Sequence, residues 1–250
     1  MAGSAALAAV AFVPGLALGS FLNVVAARVP LKRSIVSPGS ACMSCGREVA
    51  WYDNVPVVSY LLLRGRCRGC GTPIGWVYPA VELLTALLVA ASFYAFGWSG
   101  EAFVAAFFCA VLVTVSATDL SHRIVPNVVV LPAAALVLVA RTVLEPSAEW
   151  ALAAFGASLF LFLAALAYPK GMGMGDVKLA LLLGAMTGRA VPVALMVGMI
   201  AALVPSLVLF ARHGAAARKM AIPFAPFLAL GGLVALFWGE RLLDAYLTLF

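Results

Sequence analysis

Apolar segments of about twenty residues recur along most of this chain, and they limit its possible folds more than any other feature. Inside a bilayer every backbone polar group must be bonded internally, so a segment of this length crosses as a helix. The chain is 65% hydrophobic and only 10% charged, with a mean hydropathy of +1.10. These values are typical of a membrane protein rather than a soluble domain. We therefore expect an all-α polytopic membrane protein.

The apolar runs predict about eight transmembrane helices. The first covers 1–27, and the others cover 77–96, 102–118, 125–143, 149–168, 176–188, 190–211 and 223–238. The segment 176–188 is short for a full crossing, which a tilted helix or a locally thin bilayer would accommodate. Three regions follow: a first transmembrane helix (1–27), a polar cytoplasmic module (28–76) and a transmembrane catalytic bundle (77–250).

The basic residues predict how these spans are oriented. Thirteen of the sixteen Lys and Arg residues fall in loops on one side, which the positive-inside rule assigns to the cytoplasm. The run 1–27 has no basic residues ahead of its apolar core, so we expect a retained span rather than a signal peptide. The charges are confined to short loops between apolar runs, so the net charge of +6 does not indicate a nucleic-acid partner.

Two Cys-x-x-Cys pairs lie in the polar module between the first and second spans. Their spacing is close to that of zinc-ribbon sites, and four thiolates suit a closed tetrahedral zinc ion. A module this short has little core of its own, so a bound metal would stabilise its fold. We predict a structural zinc site; the alternatives are four unrelated thiols, or an oxidised pair if the orientation is inverted. The predicted ligands are Cys42, Cys45, Cys67 and Cys70.

A glycine-rich stretch with one carboxylate, Gly171–Leu179, lies between apolar runs. A carboxylate at the centre of a membrane helix costs roughly 2.5–3.5 kcal/mol, so its presence points to a function. The glycines before Asp176 leave room for another backbone or an extended peptide. Gly171 and Gly175 also form a Gly-x-x-x-Gly pair that favours close helix packing. The alternative is that Asp176 only caps a helix that resumes at Val177.

Asp119, at the end of the third predicted span, is a possible partner for Asp176. The predicted topology places both carboxylates at the cytoplasmic rim of the membrane. Two carboxylates brought close together share one proton. One can then activate water while the other protonates a carbonyl oxygen, as in aspartic proteases. The pair predicts peptide hydrolysis next to lipid, with no metal in the chemistry.

Several further motifs surround these two carboxylates in a fixed order. They are Gly19–Val25 with Arg28 and Pro30, Trp51–Pro56 between the cysteine pairs, Tyr78 and Pro79 with Glu82, Asp119 with Val125–Asn127, Gly173–Leu179, and Ile222–Phe227. Together they resemble the type IV leader peptidase (prepilin peptidase) family, whose members are aspartyl proteases with a Gly-x-Gly-Asp motif. Ala225 stands where that family usually has glycine, a difference that affects packing and neither carboxylate.

The resemblance implies that Asp119 and Asp176 cleave a basic leader from type IV prepilins or pseudopilins, typically after a glycine. It places the protein in the bacterial inner membrane, with the reaction at the cytoplasmic face and the substrate's apolar helix in the bilayer. Many members then methylate the new N-terminal amine with S-adenosylmethionine. The sequence has no glycine-rich nucleotide fingerprint, so the position of a methyltransferase site stays open.

Four further residues are candidates for substrate binding or positioning. Gly173 and Gly175 precede the Asp176 carboxylate, and Lys178 follows it. The alternative for Lys178 is that its side chain reaches the membrane interface. Glu82 is a candidate for binding the amine; the alternative is an interfacial carboxylate neutralised by a nearby Arg.

Two other classes of protein compete with a peptidase. One is a transporter or channel whose carboxylates relay protons or cations. Transporters often contain an internal repeat with a broken helix in each half, and the chain has no second glycine–carboxylate motif. The other is a membrane-bound zinc scaffold without catalysis, which would not need two carboxylates at the rim.

Overall fold

The computed structural model describes residues 2–168, 172–214 and 222–249. Within these ranges the secondary structure is helical except for two isolated β-bridges in the cysteine module, which confirms the predicted fold class. The helices are α1 (Ala2–Arg28), α2 (Val58–Leu62), α3 (Val77–Phe96), α4 (Gly100–His122), α5 (Asn127–Leu144), α6 (Glu149–Ala167), α7 (Met174–Thr187), α8 (Val191–His213) and α9 (Ala225–Leu247). Short 3₁₀ turns cover Trp51–Asp53 and Gly188–Ala190.

Seven helical stretches in the described residues are long and apolar enough to cross a membrane. One of them, Met174–His213, contains both α7 and α8, which correspond to the predicted spans 176–188 and 190–211. Gly188 separates these two helices with a φ of +52°, a left-handed conformation that favours glycine. Helix α7 has only 14 residues, in agreement with the expectation of a short span at this position.

The chain divides into two compact units, residues 1–117 and 118–250. The first unit contains α1, α2, α3, the cysteine module and most of α4. The second contains the end of α4 together with α5 to α9. The functional division into 1–27, 28–76 and 77–250 stays a prediction.

In the first unit, α1 packs closely against α3 through two glycines one helical turn apart. A Cβ on Gly15 would lie 2.8 Å from the Ala86 Cα, and one on Gly19 would lie 2.6 Å from the Glu82 Cα. Such short distances leave no room for a larger side chain, as in other Gly-x-x-x-Gly helix contacts. This contact fixes the position of Glu82 beside α1.

In the second unit, α7 packs against α5, α6 and α9. From Asp176 onward most of its side chains are buried. Gly184 allows close approach to Ala153 on α6, since an added Cβ would clash with that backbone. Because other helices surround α7, its first turn has a defined place among them.

Candidate active site

The two predicted catalytic carboxylates both lie in the second unit and are both buried. Asp119 is in the last turn of α4 and is 7% exposed, while Asp176 is in the first turn of α7 and is 8% exposed. The two side chains are near enough to interact electrostatically. A buried carboxylate pair is the arrangement that an aspartyl mechanism requires. Their catalytic role stays a prediction.

Asp119 is held by the first residue of α9. Its Oδ2 accepts a hydrogen bond from the backbone N–H of Ala225 at 3.1 Å. The first N–H groups of a helix have no partner within that helix, and a carboxylate there is favourable. The motif Ile222–Phe227 therefore supplies a backbone donor to the Asp119 carboxylate, a contact that its sequence alone did not predict.

Asp176 does not cap a helix that begins at Val177, so that alternative is wrong. Helix α7 begins earlier, at Met174, with Gly173 as the N-cap residue in an extended conformation. Asp176 is the third helical residue, and its carboxylate interacts with the backbone N–H of Gly173. This reach from the third helical residue back to the cap resembles half of a capping box. This contact holds the Asp176 carboxylate beside Gly173 in the glycine-rich turn.

Gly175 lies against the connection between α4 and α5. A Cβ on Gly175 would approach the Val125 Cβ to 2.7 Å, which real side chains do not tolerate. The contact therefore requires glycine at the position that precedes Asp176. Gly171 lies outside the described residues, so its pairing with Gly175 stays a prediction.

Lys178 makes a contact that the sequence analysis did not foresee. Its Nζ donates a hydrogen bond of 2.8 Å to Oδ1 of Asn127, the first residue of α5. The bond joins the starts of α5 and α7. Lys178 thus supports the position of α7, and its contribution to the chemistry stays a prediction.

Glu82 lies in the first unit, on α3. Its Oε2 accepts a hydrogen bond of 2.7 Å from the backbone N–H of Val57. Among the described residues no basic side chain forms an ion pair with Glu82, which argues against the alternative of a carboxylate neutralised by Arg. The proposed binding of an amine stays a prediction.

The four predicted metal ligands form one cluster. Their sulfur atoms all lie within 4.8 Å of one another, and the Sγ atoms of Cys42 and Cys70 are 3.8 Å apart. A tetrahedral ion with bonds of about 2.3 Å would place its sulfur ligands about 3.8 Å apart. The cluster therefore has the dimensions of a four-thiolate metal site.

The two cysteine pairs have the same local structure. In each pair, the backbone N–H of the first cysteine donates a hydrogen bond to the carbonyl of the residue five positions later in the sequence. A glycine with positive φ directly follows the second cysteine, and its N–H donates to the carbonyl of the first cysteine. All four of these hydrogen bonds are 2.9 Å long: Cys42 to Arg47, Gly46 to Cys42, Cys67 to Thr72, and Gly71 to Cys67. The two similar turns therefore bring all four sulfur atoms together in one cluster.

The thiols of the cluster do not ionise independently. The hydroxyl and backbone N–H of Thr72 lower the pKa of Cys70 to about 6. The backbone N–H of Arg47 favours the Cys45 thiolate, but hydrogen bonding with Cys70 and Cys42 outweighs it and raises the pKa of Cys45 to about 11. Four thiolates this close repel one another unless a cation binds them.

An ion pair ties the segment between the cysteine pairs to the second pair. The Arg68 guanidinium donates to both carboxylate oxygens of Asp53, at distances from 2.6 to 3.0 Å. The hydrogen bonds from Arg68 lower the pKa of Asp53. A bidentate pair of this kind orients the 3₁₀ turn Trp51–Asp53.

Comparison with known proteins identifies the family. Residues 13–96 match the Bacterial Peptidase A24 N-terminal domain, and residues 106–210 match the Type IV leader peptidase family. A Bacillus subtilis protein named prepilin leader peptidase/N-methyltransferase is 34% identical over 248 residues, which cover 95% of this chain and 97% of that protein. This chain belongs to the type IV leader peptidase family. The resemblance described from the motifs is confirmed.

Other type IV leader peptidases show similar agreement. A Pseudomonas aeruginosa protein of the same name is 34% identical over 264 residues, or 93% of this chain and 91% of that protein. One from Myxococcus xanthus is 53% identical over 121 residues, or 48% of this chain and 36% of that protein. Comparison with solved structures found no match. Family membership does not favour the transporter or channel alternative.

Proposed function

We propose that this chain is a membrane aspartic endopeptidase that removes the basic leader from type IV prepilins or pseudopilins. The buried pair Asp119 and Asp176, in a member of the type IV leader peptidase family, is the observation that carries the proposal. The proposed location is the bacterial inner membrane, with the reaction at its cytoplasmic face. The bias of the basic residues supports that orientation.

In the proposed mechanism the two carboxylates share one proton and act as a unit. The ionised carboxylate removes a proton from water, and the resulting hydroxide attacks the carbonyl carbon of the scissile peptide. The protonated carboxyl group donates its proton to the carbonyl oxygen. Collapse of the tetrahedral intermediate then breaks the C–N bond as the leaving amine takes up a proton. No metal takes part in these steps.

The glycine-rich turn is the proposed binding position of the substrate beside the two carboxylates. Gly173 is exposed and has an extended backbone, with φ −82° and ψ 147°. Without a Cβ, its backbone is open to a peptide in extended conformation. We propose that Gly173 keeps this face clear while the substrate's apolar helix stays in the bilayer, and that Gly175, packed against Val125, positions Asp176.

A cleavage assay with purified protein tests this function. We expect the protein in detergent, without added metal, to cut a peptide that carries a basic leader, a glycine and an apolar segment. Mass spectrometry would identify the two products and the cleaved bond. A transporter or a scaffold would leave the peptide intact, and that outcome would overturn the proposal.

We propose that the cysteine cluster holds a structural zinc ion. Purified protein should contain about one zinc per chain, because four thiolates at this spacing form a closed tetrahedral site. The double substitution Cys42→Ser and Cys67→Ser should remove the metal and make residues 28–76 sensitive to protease, since the module has little core. Elemental analysis and limited proteolysis measure both effects.

Cys109 provides the matched control for the zinc experiment. It is buried in α4 and is not part of the metal cluster, so Cys109→Ser should retain the zinc. Freshly purified protein without zinc would contradict the assignment of the metal. Zinc that survives the double substitution would contradict the assignment of the ligands.

We propose that the chain also methylates the new N-terminal amine, as the names of its relatives suggest for them. S-adenosylmethionine is the proposed methyl donor. When bound, it would supply a methyl group to the amine nitrogen; the carbon–sulfur electron pair would stay on sulfur, and the amine would release a proton to water.

A further inference from the structure

The short helix α2, between the two cysteine pairs, has its apolar side chains on the outside. Val58, Leu61 and Leu62 lie at helical positions i, i+3 and i+4, which share one face, and they are between 49% and 78% exposed. Ser59 is buried instead, and its hydroxyl forms two hydrogen bonds with the preceding backbone. A helix in water normally buries its apolar face and exposes its polar residues, so α2 has the reverse pattern.

The contacts of α2 place it beside the two spans that flank the module, at a level within their length. Val57, the residue before α2, donates to Glu82, which is the sixth residue of α3. Glu82 packs against Gly19, nine residues before α1 ends at Arg28. At a rise of about 1.5 Å per residue, α2 starts about 7.5 Å inside the first residue of α3 and about 13.5 Å inside the last residue of α1. This level corresponds to the interfacial layer of a bilayer.

Basic side chains directly follow the apolar face of α2. Arg64 and Gly65 have φ values of 52° and 65°, and the Gly65 N–H donates to the Tyr60 carbonyl at 2.8 Å in a left-handed turn that ends α2. Arg64 and Arg66 are exposed, and in the part of the chain that the structure describes neither forms an ion pair. The module 28–76 contains seven basic and two acidic residues. An apolar face beside unpaired arginines is typical of helices that bind anionic membrane surfaces.

We propose that α2 and the turn after it bind the surface of a bilayer that contains anionic lipids. Val58, Leu61 and Leu62 contact the upper acyl chains, and Arg64 and Arg66 bind the lipid phosphate groups. Interfacial helices bury their apolar faces about 5–10 Å deep, in agreement with the level of α2. The cytoplasmic leaflet, where the module is proposed to lie, is negatively charged and complements the basic module.

Two features favour lipid over a protein partner for this face. Both ends of the module continue into membrane spans, α1 and α3, so α2 is always close to the bilayer. A stable protein interface buries about 800 Å² on each partner, and three side chains on a five-residue helix offer much less. Lipid requires no minimum area of this kind, because the spans already hold the module at the membrane.

Photocrosslinking of the full chain tests what covers this face. A photoreactive benzoylphenylalanine would replace Leu62, and the protein would be placed in nanodiscs of phosphatidylcholine with or without the anionic phosphatidylglycerol. We expect lipid adducts at position 62, identified by mass spectrometry, with a yield about threefold higher when phosphatidylglycerol is present. The double substitution Arg64→Gln and Arg66→Gln should abolish this increase. Leu61, on the same face, supplies a second position for the photoreactive residue.

Val36 is the matched control position, because it is also an exposed apolar residue of the module. Its N–H donates to the Ser34 hydroxyl, and the Ser34 carbonyl accepts from Arg28 at the end of α1. Position 36 is therefore held near the end of α1 rather than at the level of α2, and it should give several-fold fewer lipid adducts. Lys32→Gln with Arg33→Gln is the charge control. It should keep the increase at position 62, since these exposed residues lie beside the same end of α1.

Three outcomes would overturn the proposal. Adducts at positions 61 and 62 to a second copy of the chain, or to an added leader peptide, in place of lipid would make this face a protein interface. Equal yields of lipid adducts at positions 36 and 62 would exclude the placement of α2 in the interface. A yield at position 62 that responds neither to phosphatidylglycerol nor to loss of the two arginines would exclude their contact with phosphate. Zinc content and thermal unfolding would confirm that each variant is folded.

Discussion

Replacement of either Asp119 or Asp176 with asparagine is expected to abolish cleavage of the leader peptide. A single remaining carboxylate can accept or donate a proton, but no pair can then do both in one step. General acid–base groups typically contribute about 10²–10⁴-fold each, so the rate should fall at least that far. Initial rates with the leader peptide, followed by mass spectrometry, measure the effect.

The fold should survive both substitutions. An asparagine oxygen at 119 can still accept the hydrogen bond from the Ala225 N–H, and asparagine has nearly the volume of aspartate. Asp244→Asn is the matched control, since that carboxylate is exposed on α9 in the same unit. The control should cleave at the wild-type rate and unfold at the same temperature. Near-normal cleavage by either Asp119→Asn or Asp176→Asn would contradict the aspartyl mechanism.

The helical architecture could be predicted because a bilayer leaves few alternatives. A long apolar segment must form a helix to satisfy its backbone, so hydropathy alone locates α3, α5 and α6 to within a few residues. The short α7 could also be predicted, since the apolar run is bounded by the glycine-rich turn and by Gly188. The cysteine spacing likewise predicted a cluster, because Cys-x-x-Cys turns have little conformational choice.

Contacts between segments distant in sequence could not be predicted in the same way. The bond from the Val57 N–H to Glu82 depends on a left-handed valine, which no local propensity suggests. One alternative for Glu82 was an interfacial carboxylate neutralised by a nearby Arg, and no ion pair with Glu82 forms among the described residues. A backbone donor from the neighbouring loop supplies the hydrogen bond without a second charge.

The first residue of α7 could not be predicted from the sequence either. Glycine gives little information about where a helix begins, because it occurs both in extended chain and in helix. The predicted span began at residue 176, and the alternative placed the start at Val177, whereas α7 begins at Met174 and contains Asp176 in its first turn. Packing of the first turn of α7 against the α4–α5 connection determines the position of the Asp176 carboxylate.

Gly175→Val is therefore expected to lower the cleavage rate by on the order of a hundredfold, since a displacement of about 1 Å at a catalytic group has an effect of this size. The new Cβ would lie 2.7 Å from the Val125 Cβ, so the first turn of α7 must move away. Asp176 is the next residue and must move with it. The buried side chains from Leu179 to Leu183 should still hold the rest of α7 in place.

Gly156→Val is the matched control, because an added Cβ on Gly156 in α6 meets nothing within 4 Å. It should leave both the cleavage rate and thermal unfolding unchanged. A rescue tests the contact itself: Gly175→Ala combined with Val125→Gly removes one Cβ as it adds another. This double variant should cleave faster than Gly175→Ala alone, since the two changes are coupled through a single contact.

The competing explanation for Gly175 is helix packing through the Gly171–Gly175 pair. It predicts that Gly171→Val and Gly175→Val lower the unfolding temperature equally and that cleavage falls only as folded protein is lost. Placement of Asp176 predicts instead that Gly175→Val remains folded, keeps its zinc and loses most of its activity. Cleavage rate and thermal unfolding, measured on both variants, separate the two. A Gly175→Val protein that is fully active, or that fails to fold, would exclude the positioning role.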